Sequence, residues 1–202
     1  LLLKYANQRP KPHFSAAFSR TGRKGPYACY YVHLEPSASF IGGGLWHPDS
    51  SALAKLRASI DERPGRWRRV LNEPGFKQTF LGIGPASSSS KKGKGRKGKV
   101  EKGGDGEGEE KGEQEAALRA FAERNKEGAL KTRPKGFIPE HRDMQLLKLR
   151  NFTVGKKVAD GVFTAEGGQE EVAGVVRDMV GFVSPPCLVG MCERVIPNLL
   201  GS

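Results

Sequence analysis

The 202 residues contain no uninterrupted apolar run near the ~20 residues that cross a bilayer, so a membrane-spanning helix is not expected and no membrane is read as a partner. Cysteine is scarce. Cys29, Cys187 and Cys192 make no even framework and show no C-x-x-C spacing, which excludes a zinc knuckle or dithiol redox site. Their small number favours a reducing, intracellular compartment, cytoplasmic or nuclear. The opening LLLKYANQRP is too short and too quickly polar for a signal peptide and has no initiator methionine, so the chain reads as a fragment or a mis-spliced product. His13, His33, His47 and His141 are scattered, without H-x-H or H-x-x-x-H spacing, and no metal site is expected. Nucleophile elbow, Cys–His dyad, paired-carboxylate motif and HExxH run are all missing. That argues against a familiar hydrolase, and no cofactor is implied.

Acidic residues are also in short supply: 22 Asp and Glu face 34 Lys and Arg, for a net charge of +12. Such an excess favours a polyanion, either nucleic acid or a phosphorylated molecule. Lys4, Arg9, Lys11, Arg20, Arg23 and Lys24 all precede the first acid, Glu35, and make the N-terminal third anion-facing. Lys11, Arg20, Arg23 and Lys24 are its candidate anion-binding residues. Residues 86–115 collapse to Ser, Gly, Lys and Glu with no aromatic side chain, too little apolar surface to offset the entropy of ordering. They are read as a low-complexity, disordered insertion that splits one domain into 1–85 and 116–202. The insertion is nearly balanced in charge, so the positive excess belongs to the rest. Its basic half, KKGKGRKGK at 91–99, reads either as a nuclear-localisation or nonspecific nucleic-acid arm or as a solvated linker.

Period-two alternation marks three strands. HFSAAF at 13–18 puts Phe14, Ala16 and Phe18 on one face, and RTGRKGP supplies a turn. YACYYVHLE at 27–35 puts Ala28, Tyr30, Val32 and Leu34 inward and Tyr27, Cys29, Tyr31, His33 and Glu35 outward. Residues 40–46 return as a third, glycine-bearing strand, and NFTVGKK at 151–157 reads as a fourth. Asp49 or Ser50 caps a helix carrying Leu53, Leu56 and Ile60 up to Pro64; a second places Trp67, Val70 and Leu71 on one face. AALRAFAERN sets Leu118 and Phe121 in register, and Pro139 opens a helix with Met144, Leu146 and Leu147. The last helix, 169–183, shows a stripe of Val172, Val176, Met179, Val180 and Val183. The fold class is therefore α+β: a mainly antiparallel sheet of about four strands with helices packed on one face.

The blocks HFSAAFSRTGRKGPYACYYVHLEP with SFIGGGLWHP, and then RPKGFIPEHRDMQLLKLRNFTVGKK, resemble the DUF2461 family, a conserved family of unknown function from bacteria and longer fungal proteins. The resemblance runs from about His13 to the C-terminal helix, with a low-complexity insertion of the kind fungal members carry. It implies an upstream Arg- and Asp-rich signature that this chain lacks; only Lys11 matches its end. The chain thus resembles a C-terminal part of a fungal member, and its ending, SPPCLVGMCERV, departs from the family pattern as well.

FIGGGLWHP at 40–48 lacks the Gly-Lys-Ser/Thr of a P-loop and the helix-opening G-x-G-x-x-G of a dinucleotide site. Its glycines either leave backbone open to a ligand or let strand and helix cross closely. His47, after Trp46 at the strand-to-helix junction, is either an acid/base group or a capping and packing residue. Tyr31, His33 and Glu35 alternate onto one strand face, which either lines a pocket or is merely wet. Tyr31, His33, Glu35, Trp46 and His47 form the candidate pocket. The expected function is a noncatalytic binding module for an anionic ligand; the alternative is an enzyme whose pocket needs the upstream Arg/Asp block.

Overall fold

Alternating side chains produce strands where they were read. In the computed structural model, which describes residues 13–20, 27–84 and 107–184, β1 (Phe14–Ser19), β2 (Cys29–Leu34) and β3 (Phe40–Leu45) form an antiparallel meander. β4 (Phe152–Lys157) adds antiparallel to the other edge of β3, so the order is β1-β2-β3-β4. The register lines up three rows across the sheet: Ser15, His33, Phe40 and Lys157; Ala17, Tyr31, Gly42 and Gly155; Ser19, Cys29, Gly44 and Thr153. Since neighbours in register share a face, these rows make one side, the outer face. The alternate residues, including Tyr30, Val32, Ile41, Gly43, Leu45, Phe152 and Val154, make the inner face.

Among the described residues, six α-helices accompany the sheet, packed on the inner face. α1 (Ser50–Glu62) starts where Asp49 accepts a hydrogen bond from Ala52 N at 2.7 Å, and it buries Leu56 and Ile60. Pro64 ends α1 and opens α2 (Pro64–Leu71), whose Trp67 and Leu71 are buried. A single turn, α3 (Pro74–Phe76), runs into a π-helical turn, Lys77–Leu81, that ends on Gly82 at φ 68°. α4 (Glu107–Arg124) buries Leu118 and Phe121, α5 is only Met144–Leu147, and α6 (Gly168–Val183) closes the core over β3 and β2. Phe76, Phe121, Phe152 and Phe182 meet ring to ring at its centre. No helix among the described residues is long and apolar enough to cross a membrane.

The three glycines of β3 pack closely. A Cβ on Gly43 would stand 2.9 Å from Met179 Sδ and Val183 Cγ2 of α6, so the helix lies almost on bare backbone. Gly44, at φ 126°, holds a conformation closed to other residues, and a Cβ there would sit 2.1 Å from the Phe152 carbonyl.

Other elements differ from expectation for traceable reasons. The buried side of α6 is Val175, Met179, Phe182 and Val183, with Val172 and Val176 partly covered; Val180, expected in the apolar stripe, is exposed. The helices settle over β2 and β3, which rotates the contact face of α6. Phe14 and Phe18 do share the inner face, but the described helices stop short of β1 and both rings remain more than half exposed. Pro139 lies in a turn before α5 and not in its first turn. Of the insertion 86–115, residues 86–106 lie outside the described residues, and α4 already begins at Glu107. Its N-terminal half is anchored by Arg68 Nη2 to Glu115 at 3.5 Å and Asn72 Nδ2 to the Gln114 carbonyl at 3.4 Å.

Arg68 also grips the buried Asp143 through Nη2 and Nη1, at 2.6 and 3.2 Å, while Arg142 Nε adds a third bond at 3.0 Å. The bond to Asp143 is the main cause that raises the pKa of Arg68. This ion-paired knot ties α2 to the start of α5.

Candidate functional site

β2 carries Tyr31 and His33, Glu35 follows directly after it, and the register adds neighbours to them. Tyr31 and His33 stack with ring centres 6.1 Å apart; Phe40, directly opposite His33 on β3, lies 5.1 Å from His33 and 5.6 Å from Tyr31. His13 closes the row from the other side, 5.0 Å from His33. Glu35 completes the group: its Oε2 is 3.0 Å from His33 Nε2, while His33 Nδ1 is covered and has no partner. A carboxylate on one ring nitrogen fixes the imidazole's orientation.

The turn beyond Glu35 is held from far along the chain. Ser37, at φ 63°, donates its N–H to Asp160 Oδ2 at 2.7 Å, and Ser39 Oγ lies 3.0 Å from Asp160 Oδ1. Glu35 N donates to Ser39 Oγ at 3.1 Å, so Asp160 indirectly sets where the glutamate begins.

Positive charge stands at the margins. Lys157 is paired in register with Phe40, is exposed and follows a second exposed lysine, Lys156. Arg20 lies over the Tyr27 ring at 5.9 Å. Lys11, Arg23 and Lys24, named with Arg20 as anion-binding candidates, lie outside the described residues, as do residues 91–99, Cys187 and Cys192. Cys29 shares the outer face, is unpaired, and burial pushes its thiol pKa up.

The candidate pocket divides. Tyr31, His33 and Glu35 come together at the Phe40 end of β3, whereas Trp46 and His47 lie past its other end, roughly 20 Å away along six strand residues. Trp46 is 76% exposed and meets the His47 ring edge-on at 4.8 Å. His47 takes φ 47° and donates its backbone N–H to Asn151 Oδ1 at 2.9 Å; the helix cap next to it is Asp49. His141 is occupied on both ring nitrogens, Nδ1 accepting from Asp143 N and Nε2 meeting Asp61 Oδ1, which suits a structural role. Among the described residues no three His, Cys, Asp or Glu side chains are grouped to hold a metal. An open groove of about 610 Å³ between α4 and α5, lined by Arg119, Ala122, Lys126, Leu130 and Lys148, touches none of the sequence-named residues.

His13, Phe40, Lys157 and Asp160 are the members that sequence reading missed. The first three are recoverable from strand register, because His33 and Phe40 flank the turn at 35–39 and Lys157 ends the fourth strand. Asp160 has no local signal.

Comparison with known proteins adds one finding. Neither a curated protein nor a solved structure matches the chain. A family model described as a conserved hypothetical protein (DUF2461) matches residues 6–184, a span that takes in the meander, the glycine strand, β4 and α6. The chain belongs to the DUF2461 family.

Proposed function

We propose that the domain is a binding module whose outer sheet face receives an anionic ligand carrying planar rings, with single-stranded nucleic acid as the ligand of first choice. The observation that carries this reading is the row of His13, His33, Tyr31 and Phe40 on one sheet face with Lys157 beside it. Rings at this spacing offer a stacking platform, and flanking cations attract the backbone charge. The net charge of +12 favours the same partner. Fluorescence anisotropy with a labelled single-stranded oligonucleotide tests it. Binding is expected at low salt, falling steeply as salt rises, and Tyr31→Ala should weaken it about tenfold or more. Absence of binding at low salt overturns the reading.

The His33–Glu35 pair favours a second reading, an enzyme that uses the imidazole as acid or base. A metabolite panel read by thermal stabilisation tests it, with stabilisation expected in the wild type and lost in Glu35→Gln; a panel without any stabilising ligand counts against it.

A further inference from the structure

We propose that the groove between α4 and α5 is a docking site for an acidic amphipathic helix of a protein partner. The site lies in the helical layer and stands independently of the outer-face reading. Arg119, Ala122 and Glu123 follow the i, i+3, i+4 spacing of one helix face and form the first wall, with Lys126 just beyond the end of α4. Lys148 and Leu149, directly after α5, form the second. Both walls are fixed. The buried Asn125, next after α4, donates to the Thr153 carbonyl at 3.0 Å and accepts from Thr153 N at 2.9 Å. Gly128, at φ 70°, turns the chain, and Leu130 N then donates to the Lys148 carbonyl at 2.8 Å. The groove, about 610 Å³ in volume, is therefore preformed, and a partner binds without having to order it.

Charge and surface chemistry select the occupant. Ala122, Ala129, Leu130 and Leu149 give the groove an apolar floor. Glu123 is paired with Lys126, whereas Arg119 and Lys148, one on each wall, are in no ion pair among the described residues. Arg119 is exposed and Lys148 half-buried, so both are open to a partner. An apolar trough with a cation along each side is complementary to a helix whose apolar stripe runs between two acidic edges. Other occupants fit less well. No aromatic side chain of the described residues lines the groove, so a nucleobase has nothing to stack on. An open trough leaves a small organic acid largely wet, whereas pockets for small ligands bury most of the molecule. A second copy of the chain brings the same charge of +12 and is repelled.

The test uses the full chain and two labelled peptides of about 14 residues, four helical turns, with Glu on both flanks of a stripe of Leu in one and of Phe in the other. Binding is followed by fluorescence anisotropy. At least one peptide should bind, and a scrambled peptide of the same composition, which has no stripe, should bind about tenfold more weakly or worse. Arg119→Gln and Lys148→Gln should each weaken binding about threefold or more, while Arg69→Gln, which removes an exposed arginine of α2 outside the groove, should keep the wild-type affinity. Ala129→Trp fills the groove and should abolish binding; if that variant fails to fold, the two charge variants still decide. The proposal is overturned if neither peptide binds, if the scrambled peptide binds as tightly, or if Arg119→Gln and Lys148→Gln bind no more weakly than Arg69→Gln does. Displacement of the bound peptide by octanoate at an equal concentration overturns it as well, in favour of a small amphipathic acid.

Discussion

The two faces of one sheet are built on opposite terms. On the inner face the side chains are fitted to a helix so closely that Gly43 has no room for a methyl group. On the outer face imidazole, phenol, thiol and carboxylate groups stand on a floor that includes Ala17, Gly42 and Gly155. The difference teaches that the glycine run of β3, which looks like one motif, answers separate demands. Gly43 yields to α6, and Gly44 yields to the backbone of β4.

Substitutions at these glycines break the comparison most forcefully. Gly44→Val requires a β-branched residue at φ 126° with its Cβ against the Phe152 carbonyl, and should cost more than about 3 kcal/mol and prevent stable folding, measured by circular dichroism and urea unfolding. Met179→Ala, at the fully buried contact with Gly43, should follow at about 2–5 kcal/mol in the same measurement. Outer-face changes should separate stability from binding. Tyr31→Ala should cost only about 1 kcal/mol or less, as a partly exposed cross-strand aromatic, while weakening the oligonucleotide binding proposed above about tenfold or more. A Tyr31→Ala protein that unfolds would show that the outer face is structural after all. Gly155→Ala sets the floor of the series: its nearest heavy atom would be 3.8 Å away, so stability should change by about 0.5 kcal/mol or less.

Cys29 sharpens the comparison by pH. Burial disfavours its thiolate, so the folded pKa lies above the unfolded one. The group's contribution to stability is therefore full below the unfolded thiol's pKa and is lost as pH rises through the folded value. Alkylation at Cys29, mapped by mass spectrometry, should titrate at higher pH in the folded chain than in the denatured chain. Coincident curves would mean that the outer face is fully wet there.

How far the sequence could be read follows the range of each interaction. The strands were legible because alternation is local, and so were the Asp49 cap and the helix broken at Pro64. The close-packing reading of the glycines was available too, yet nothing in FIGGG says that Met179 and Val183 are the atoms in the way. Periodicity runs the stripe of α6 through Val180, because it finds an apolar side but does not say how a helix rolls on its sheet. Tyr31, His33 and Glu35 were legible as a row, whereas their neighbours His13 and Phe40 needed the register. Trp46 and His47 adjoin the same strand in sequence but lie past its far end.

β3 is joined to β2 by a short turn but to β4 across a segment more than a hundred residues long. Contacts of such different range do not form at the same speed, since nearby pairings close quickly and distant ones must wait for a large loop to close. The β1-β2-β3 meander can thus assemble while its helix-binding face is still bare, and Gly43 becomes a docking notch that α6 fills last. During that interval the half-made sheet is a kinetic liability, open to sticking to copies of itself, and pulse-labelled hydrogen exchange should show β2 and β3 amides protected before those of β4; simultaneous protection would remove this order of events.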